Sequence, residues 1–356
     1  MLYKFLYQFT SYWFGFNVFR YVTVRTVFAT LTSLFITIIF GKKTISALRH
    51  LCHPNMLNFR VDSKENIPTM GGLLILGSIL ISTILWADLK NIYIFLLIFL
   101  SIWLASFGFW DDYIKLRQKS HKGLRPLVKI LGQISIGFII GLILYYHPSL
   151  NFNTSVYMPF LKNIVFPLGV YYILFATLII VATSNAVNLT DGMDGLAIAS
   201  VLMVALTYGA ISYVVSNVKF ANYLNVPFIK GAEEVTVFSG ALIGASLGFL
   251  WYNCYPAEIF MGDTGSLMLG GLIGLLAIIV KQELSLIIMG GIFFIEAFSV
   301  IIQVISFKTR GKRVFLMTPI HHHFELKGIP EPKVTVRLWI LGIIFALFTL
   351  VTLKIR

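Results

Sequence analysis

The chain has 356 residues, of which 58% are hydrophobic and only 12% charged, and its mean hydropathy is +0.85. A water-soluble domain carries roughly twice that charged fraction, so lipid must be the solvent for much of the surface. The net charge of +13 does not point to nucleic acid, because the basic residues sit in loops between apolar runs, as membrane topology and anionic substrates require.

Apolar runs of about 20 residues cross the hydrocarbon core as helices. Ten are predicted, at 18–41, 70–87, 92–110, 126–146, 164–186, 195–215, 235–253, 266–280, 284–307 and 338–353. The expected fold is therefore an all-α integral membrane protein forming one polytopic domain, 1–356. The connections 147–163 and 216–234 have room for a hairpin or a short helix. No signal-peptide cleavage pattern stands out, so the first span is expected to be kept. Cys52 and Cys254 are the only cysteines, and no disulfide framework follows from two.

Lys and Arg are unevenly shared between the two sets of connections. One set, from Lys42 to Lys64, Lys115 to Lys129 and Lys308 to Arg337, holds eighteen of them, and the other holds eight. By the positive-inside rule the richer set is cytosolic. With ten spans, both termini then lie on the extracytoplasmic side.

Polar clusters fall on the same predicted face. Lys64 precedes Pro68-Thr69-Met70-Gly71-Gly72, where Thr69 suits the N-cap of the second span and the free amides of a helix start can receive phosphate. Most spanning helices also need such a cap for structure alone. Asp111 and Asp112 close the third span. Adjacent carboxylates repel, which favours a cation or proton between them and a neighbour; an ordinary polar helix end has the same appearance.

A second acidic cluster reads Asn188-Leu189-Thr190-Asp191-Gly192-Met193-Asp194-Gly195. One tight turn brings Asp191 and Asp194 to one side, and no Lys or Arg in the loop neutralises them. Asx-turn chemistry in a plain connector is the alternative. The connection after Asn253 ends in Phe260-Met261-Gly262-Asp263. There Asp263 either caps the eighth span or serves as an oxygen ligand for a hard cation such as Mg²⁺, and Phe260 either stacks on a base or anchors the interface. Last comes Pro319-Ile320-His321-His322-His323-Phe324-Glu325. Three consecutive residues of a helix cannot converge on one metal, so donation to phosphate oxygens suits these imidazoles better. Glu296 and Gln303 are the deep polar residues, and either line a lipid groove or join helices. Carboxylates for a cation and bases for phosphate together describe phosphoryl transfer.

In this order, the Pro68–Gly72, Asp111-Asp112, Asn188–Gly195, Phe260–Ser266 and Pro319–Glu325 motifs resemble the motif set of the phospho-N-acetylmuramoyl-pentapeptide-transferases. Those enzymes are a branch of the polyprenyl-phosphate N-acetylhexosamine-1-phosphate transferases. The resemblance covers nearly the whole chain, departing only where Met193 replaces a common Leu. It implies a Mg²⁺-dependent enzyme of the bacterial cytoplasmic membrane. That enzyme transfers a sugar phosphate from UDP-N-acetylmuramoyl-pentapeptide to undecaprenyl phosphate, giving lipid I and UMP at the cytosolic face. By the same resemblance Asp263 binds Mg²⁺, Asp111 is the candidate base on the lipid phosphate with Asp112 beside it, and His321, His322 and His323 face the phosphates. Lys64, Thr69, Asn188, Asp191, Gly192, Asp194, Asn253 and Phe260 then line the nucleotide site, and a homodimer is expected. The rivals are a sister enzyme using UDP-N-acetylglucosamine and a transporter, which would place its ionisable groups at mid-membrane.

Overall fold

The structure is a computed structural model describing residues 2–52, 67–118, 123–147, 152–161 and 164–354. It is mostly helical. A short helix α1 (Leu2–Gln8) and two 3-10 segments (Phe9–Ser11 and Phe14–Arg20) lead into α2 (Val22–Cys52). The long helices that follow are α3 (Gly72–Trp86), α4 (Ile92–Gln118), α5 (Pro126–Tyr146), α6 (Tyr172–Thr190) and α7 (Leu196–Val215). After the short α8 (Val218–Leu224) come α9 (Ala232–Asn253), α10 (Gly262–Ile279), the short α11 (Ser285–Met289), α12 (Gly291–Arg310), the short α13 (Ile320–Leu326) and α14 (Glu331–Thr352). Among the described residues nine helices are long and apolar enough to cross a bilayer, and α3 is a shorter apolar tenth.

All ten expected spans therefore have a helix, but several bounds move for a common reason. Hydropathy marks where lipid ends, not where the helix ends. Thus α2 runs eleven residues past position 41 through Lys42, Lys43 and Arg49, and α4 runs eight past position 110. Asp111 and Asp112 consequently lie inside a helix rather than at its end. Conversely, residues 165–167 belong to a strand, and α6 begins only at Tyr172. The span expected at 284–307 is divided between α11 and α12 around Gly290. The connection before α6 holds a hairpin, β1 (Ser155–Tyr157) antiparallel to β2 (Val165–Pro167), and the connection before α9 holds α8.

The centre of the bundle is α10. It packs on α3, α4, α6 and α7, and every residue from Thr264 to Ile279 is buried. Its glycines let neighbours approach to backbone contact: a Cβ on Gly270 would stand 2.5 Å from the Thr183 carbonyl of α6. The α2–α9 pair uses the same device, with Gly240, Gly244 and Gly248 facing Thr26, Thr30 and Thr37, as small residues commonly do between membrane helices. The N-terminus of α2 and the C-terminus of α14 share one end of the bundle. There Arg25 joins Glu234 at the start of α9, and Lys354 stacks on Tyr223 of α8. The opposite end is where the acidic motifs meet.

Candidate active site

Consecutive residues on a helix point about 100° apart, and Asp111 and Asp112 use that angle to face different partners. Asp112 turns to α10. It accepts hydrogen bonds from the backbone N of Thr264 at 2.9 Å, the Thr264 hydroxyl at 2.7 Å and the Asp263 N at 3.2 Å. A residue from another helix thus caps α10 and meets the positive end of its dipole. Of the two readings of Asp263, cap or cation ligand, the structure does not show the cap: Gly262, at φ +71°, swings Asp263 into the first turn. Asp111 turns towards α5. Its Oδ1 accepts from Leu124 N at 2.6 Å, and its Oδ2 faces the ammonium groups of Lys115 at 2.6 Å and Lys129 at 2.8 Å.

The three carboxylates converge. Oxygens of Asp111, Asp112 and Asp263 lie within 4.8 Å of one another. This is possible because Gly108 lets α4 lie against the backbone of α10: a Cβ there would stand 2.3 Å from the Asp263 carbonyl oxygen. Asp263 Oδ2 is shared by Lys129 at 2.5 Å and Lys115 at 3.2 Å, while Oδ1 accepts from Asn188 Nδ2 at 2.9 Å. Asn188 also donates to Ser266, at 2.8 Å. Three negative and two positive groups leave the cluster anionic. Its hard oxygen donors suit a divalent cation such as Mg²⁺, and Asp263 is the most exposed of the three.

A cavity of about 530 Å³ opens over this cluster. Thr69, Asn188, Asp191, Gly192, Asp194, Asn253, Phe260 and Asp263 all line it, so eight positions singled out in the sequence meet at one place. Lys115, Met193 and Gly262 complete the wall. Asp191, at the C-cap of α6, is half-buried, and its carboxyl is pushed up to about 7, first by burial and then by the charges of Asp263 and Asp112.

Several residues hold the wall rather than face its contents. Asp194 is buried; its backbone N donates to Glu331 at 3.0 Å and its Oδ2 accepts from Ala257 N at 3.0 Å. Asn253 accepts from Gly195 N at 3.2 Å and donates to the Ile259 carbonyl at 2.8 Å. Together they strap the Asp191–Gly195 turn to the loop that presents Phe260. Thr69 does not cap α3, whose cap position is Gly71 with no side-chain bond. Instead Pro68, Gly71 and Gly72 exchange backbone hydrogen bonds with Phe260 and Met261 at 2.9 Å, which brings Thr69 beside Gly262. Lys64 lies outside the described residues.

The three histidines engage different partners. His322 contacts Glu325 at 2.7 Å, and His323 accepts from Leu316 N at 3.1 Å. Only His321 sits behind the aspartate loop, with Nε2 against Gly192. The His321 and His322 rings lie 4.2 Å apart between centroids, and each of the three has its own polar partner. Lys129 and the role of Lys115 were missed in the sequence, where both counted only as loop charge. Their spacing from the Asp pair, four residues along α4 for Lys115 and Asp111, was the available signal.

A helical bundle of bilayer length, with an anionic, oxygen-lined cavity at one end, has the layout of an integral membrane transferase. Residues 92–281 match the family described as Glycosyl transferase family 4. Residues 64–76 match phospho-N-acetylmuramoyl-pentapeptide-transferase signature 1. Three curated relatives carry the name phospho-N-acetylmuramoyl-pentapeptide-transferase: those of Citrifermentans bemidjiense and Pelobacter propionicus, each 49% identical, and that of Thermodesulfovibrio yellowstonii, 48% identical. Each alignment covers all of both chains. The chain belongs to the phospho-N-acetylmuramoyl-pentapeptide-transferase family.

Proposed function

We propose that this protein transfers phospho-N-acetylmuramoyl-pentapeptide from its UDP ester to undecaprenyl phosphate, yielding lipid I and UMP. An oxygen of the lipid phosphate forms a bond to the β-phosphorus of the nucleotide, and the bond from that phosphorus to the UMP oxygen breaks. The observation that carries this reading is the convergence of Asp111, Asp112 and Asp263 with Lys115, Lys129 and Asn188 beside one cavity. Positioning and charge compensation are the main demands of phosphoryl transfer, and the cluster supplies both.

Asp263 would hold Mg²⁺, with Asp111 and Asp112 as its neighbours; when bound, the ion supplies charge neutralisation between two anionic phosphates. Lys115 and Lys129 add positive charge that can turn from the carboxylates to phosphate oxygens. Asp111 is better suited to holding these lysines than to removing a proton, since Oδ1 is bonded and Oδ2 faces two ammonium groups. The lipid phosphate is already largely ionised near neutral pH, so direct attack needs no base. Phe260 and the Asn188–Asp194 turn line the space for the nucleotide. An apolar pocket of about 290 Å³ between α6 and α12, lined by Ala186, Val187, Leu189, Phe293, Phe294 and Phe298, suits part of the polyprenyl chain. The basic residues around the site end support a cytosolic site in the inner membrane, with both termini outside.

The test supplies radiolabelled lipid phosphate with UDP-N-acetylmuramoyl-pentapeptide or UDP-N-acetylglucosamine and identifies the glycolipid. A muramoyl product with UMP release is expected. A glucosaminyl product assigns the sister reaction, and substrate flux without a covalent product assigns a transporter.

A further inference from the structure

Glu296 stands in α12 among Phe293, Phe294, Ala297 and Phe298 and is fully buried. A carboxylate in such surroundings needs a partner, and the partner is on another element. His321 of α13, equally buried, places Nδ1 3.0 Å from Glu296 Oε2 and its backbone N 3.4 Å from the same oxygen. The ring contact lies off the N–H axis and falls short of a hydrogen bond. It still fixes which edge of the ring faces α12.

The other edge faces the site. Nε2 is buried without a partner and is aimed at Gly192, where a Cβ would fall 2.3 Å from Nε2 and 2.8 Å from the neighbouring ring carbon Cε1. That missing side chain lets the ring lie directly against Gly192, a residue that lines the cavity. Nε2 is thus an unpartnered imidazole nitrogen immediately behind the cavity wall, while His322 and His323 are engaged with Glu325 and Leu316.

We propose that Glu296 is a positioning residue for transfer, holding the His321 ring so that Nε2 stays behind Gly192 at the cavity wall, ready to donate to a phosphate oxygen of the nucleotide substrate when the Asp191–Gly195 turn shifts to admit it. This rests on the transferase reading above. Carboxylates that orient a metal-ligating histidine typically change activity 10- to 100-fold when removed, and orienting this ring for phosphate sets an effect of the same order.

The experiment compares the full chain with Glu296→Gln, Glu296→Asp, His321→Gln and the Glu296→Gln/His321→Gln double variant. Lipid I formation and thermal stability are measured on each. For Glu296→Gln, kcat falls about 10- to 100-fold, while KM for the lipid phosphate and the melting temperature stay put. Glu296→Asp, which keeps the charge, recovers part of the rate. The double variant is no slower than His321→Gln alone, because the two act as one unit. Unchanged kcat in Glu296→Gln, or losses that multiply in the double variant, overturn the proposal. Should Glu296→Gln not fold, Glu296→Asp paired with His321→Gln gives the same comparison. A wild type that makes no glycolipid refutes the transferase reading itself; an active wild type with an indifferent Glu296→Gln refutes only the positioning role.

Discussion

Both ends of the helical bundle bury charge, but they arrange it in opposite ways. At the end holding the start of α2, Arg25 forms a two-pronged pair with Glu234, at 2.8 and 2.9 Å, and Glu234 also accepts from Asp88 N at 2.8 Å. Nearby, Lys281 meets Glu283 at 2.8 Å and the Tyr172 hydroxyl at 2.9 Å. Arg25 and Lys281 each have their own carboxylate. At the site end, two lysines lean on the same oxygen of Asp263, with Asp111 and Asp112 close by. A cavity also borders the far end, about 600 Å³ beside Lys230 and Lys281, so a cavity alone does not distinguish the two. One-to-one pairing makes a clamp, whereas convergence on a single partly exposed carboxylate makes a place where another charge can enter.

The sharpest way to break this contrast is to neutralise one carboxylate at the site. Asp263→Asn should lower lipid I formation by at least about 10³-fold, since it removes the candidate cation ligand and the anchor of both lysines. UMP release measures it. Asp111→Asn should keep most activity; a loss as deep as that of Asp263→Asn would restore Asp111 as a base. Replacing Lys281 by Met together with Glu283→Gln should leave the rate within a few-fold.

The far end should fail in stability instead. Arg25→Met strands the buried Glu234 carboxylate and should destabilise the fold by about 3–5 kcal/mol, read as a fall in melting temperature in detergent. Arg25→Met with Glu234→Leu should recover much of that loss. If Arg25→Met changed kcat while leaving the melting temperature alone, the clamp assignment would be wrong.

The same steric change made at two places gives a finer comparison. Gly108→Ala puts a Cβ 2.3 Å from the Asp263 carbonyl, and Gly244→Ala puts one 2.0 Å from that of Thr30. Both must shift a helix. Gly108→Ala moves Asp263 relative to its lysines and should slow transfer about 10- to 100-fold. Gly244→Ala, in the α2–α9 contact, should lower the melting temperature with kcat nearly unchanged.

The helices were readable because a bilayer imposes length and hydropathy on each span separately. The site residues were readable because Asn and Asp are rare in spans and stood out at one face. What stayed hidden depends on contacts between distant parts of the chain. Nothing local shows that Asp112 caps α10, that Lys129 crosses to Asp263, or that Glu296 answers His321. Thr69 illustrates the reverse error: its sequence context suits a helix cap, yet the backbone ladder from Pro68 to Gly72 with Phe260 and Met261 fixes the segment without one. The histidine triplet reads as a unit in sequence, while helical geometry sends its members to three different partners.

The remaining expected effect concerns pH, and Asp191 is its source. Its carboxyl, ordinarily near 3.8, is pushed up to about 7 in the folded protein, chiefly by burial. Between those two values the folded chain holds a proton that the unfolded chain has released. Stability therefore declines as pH rises from about 4 to 7 and levels off above that. Without divalent cations, the melting temperature of the wild type should fall between pH 5 and pH 8, and that of Asp191→Asn should fall less. The difference between the two curves isolates this one group from the other carboxylates and the histidines. Parallel curves would mean that Asp191 does not titrate in this range, and that the negative charge around Asp263 is felt less at the α6 end than the short distances within the cluster imply.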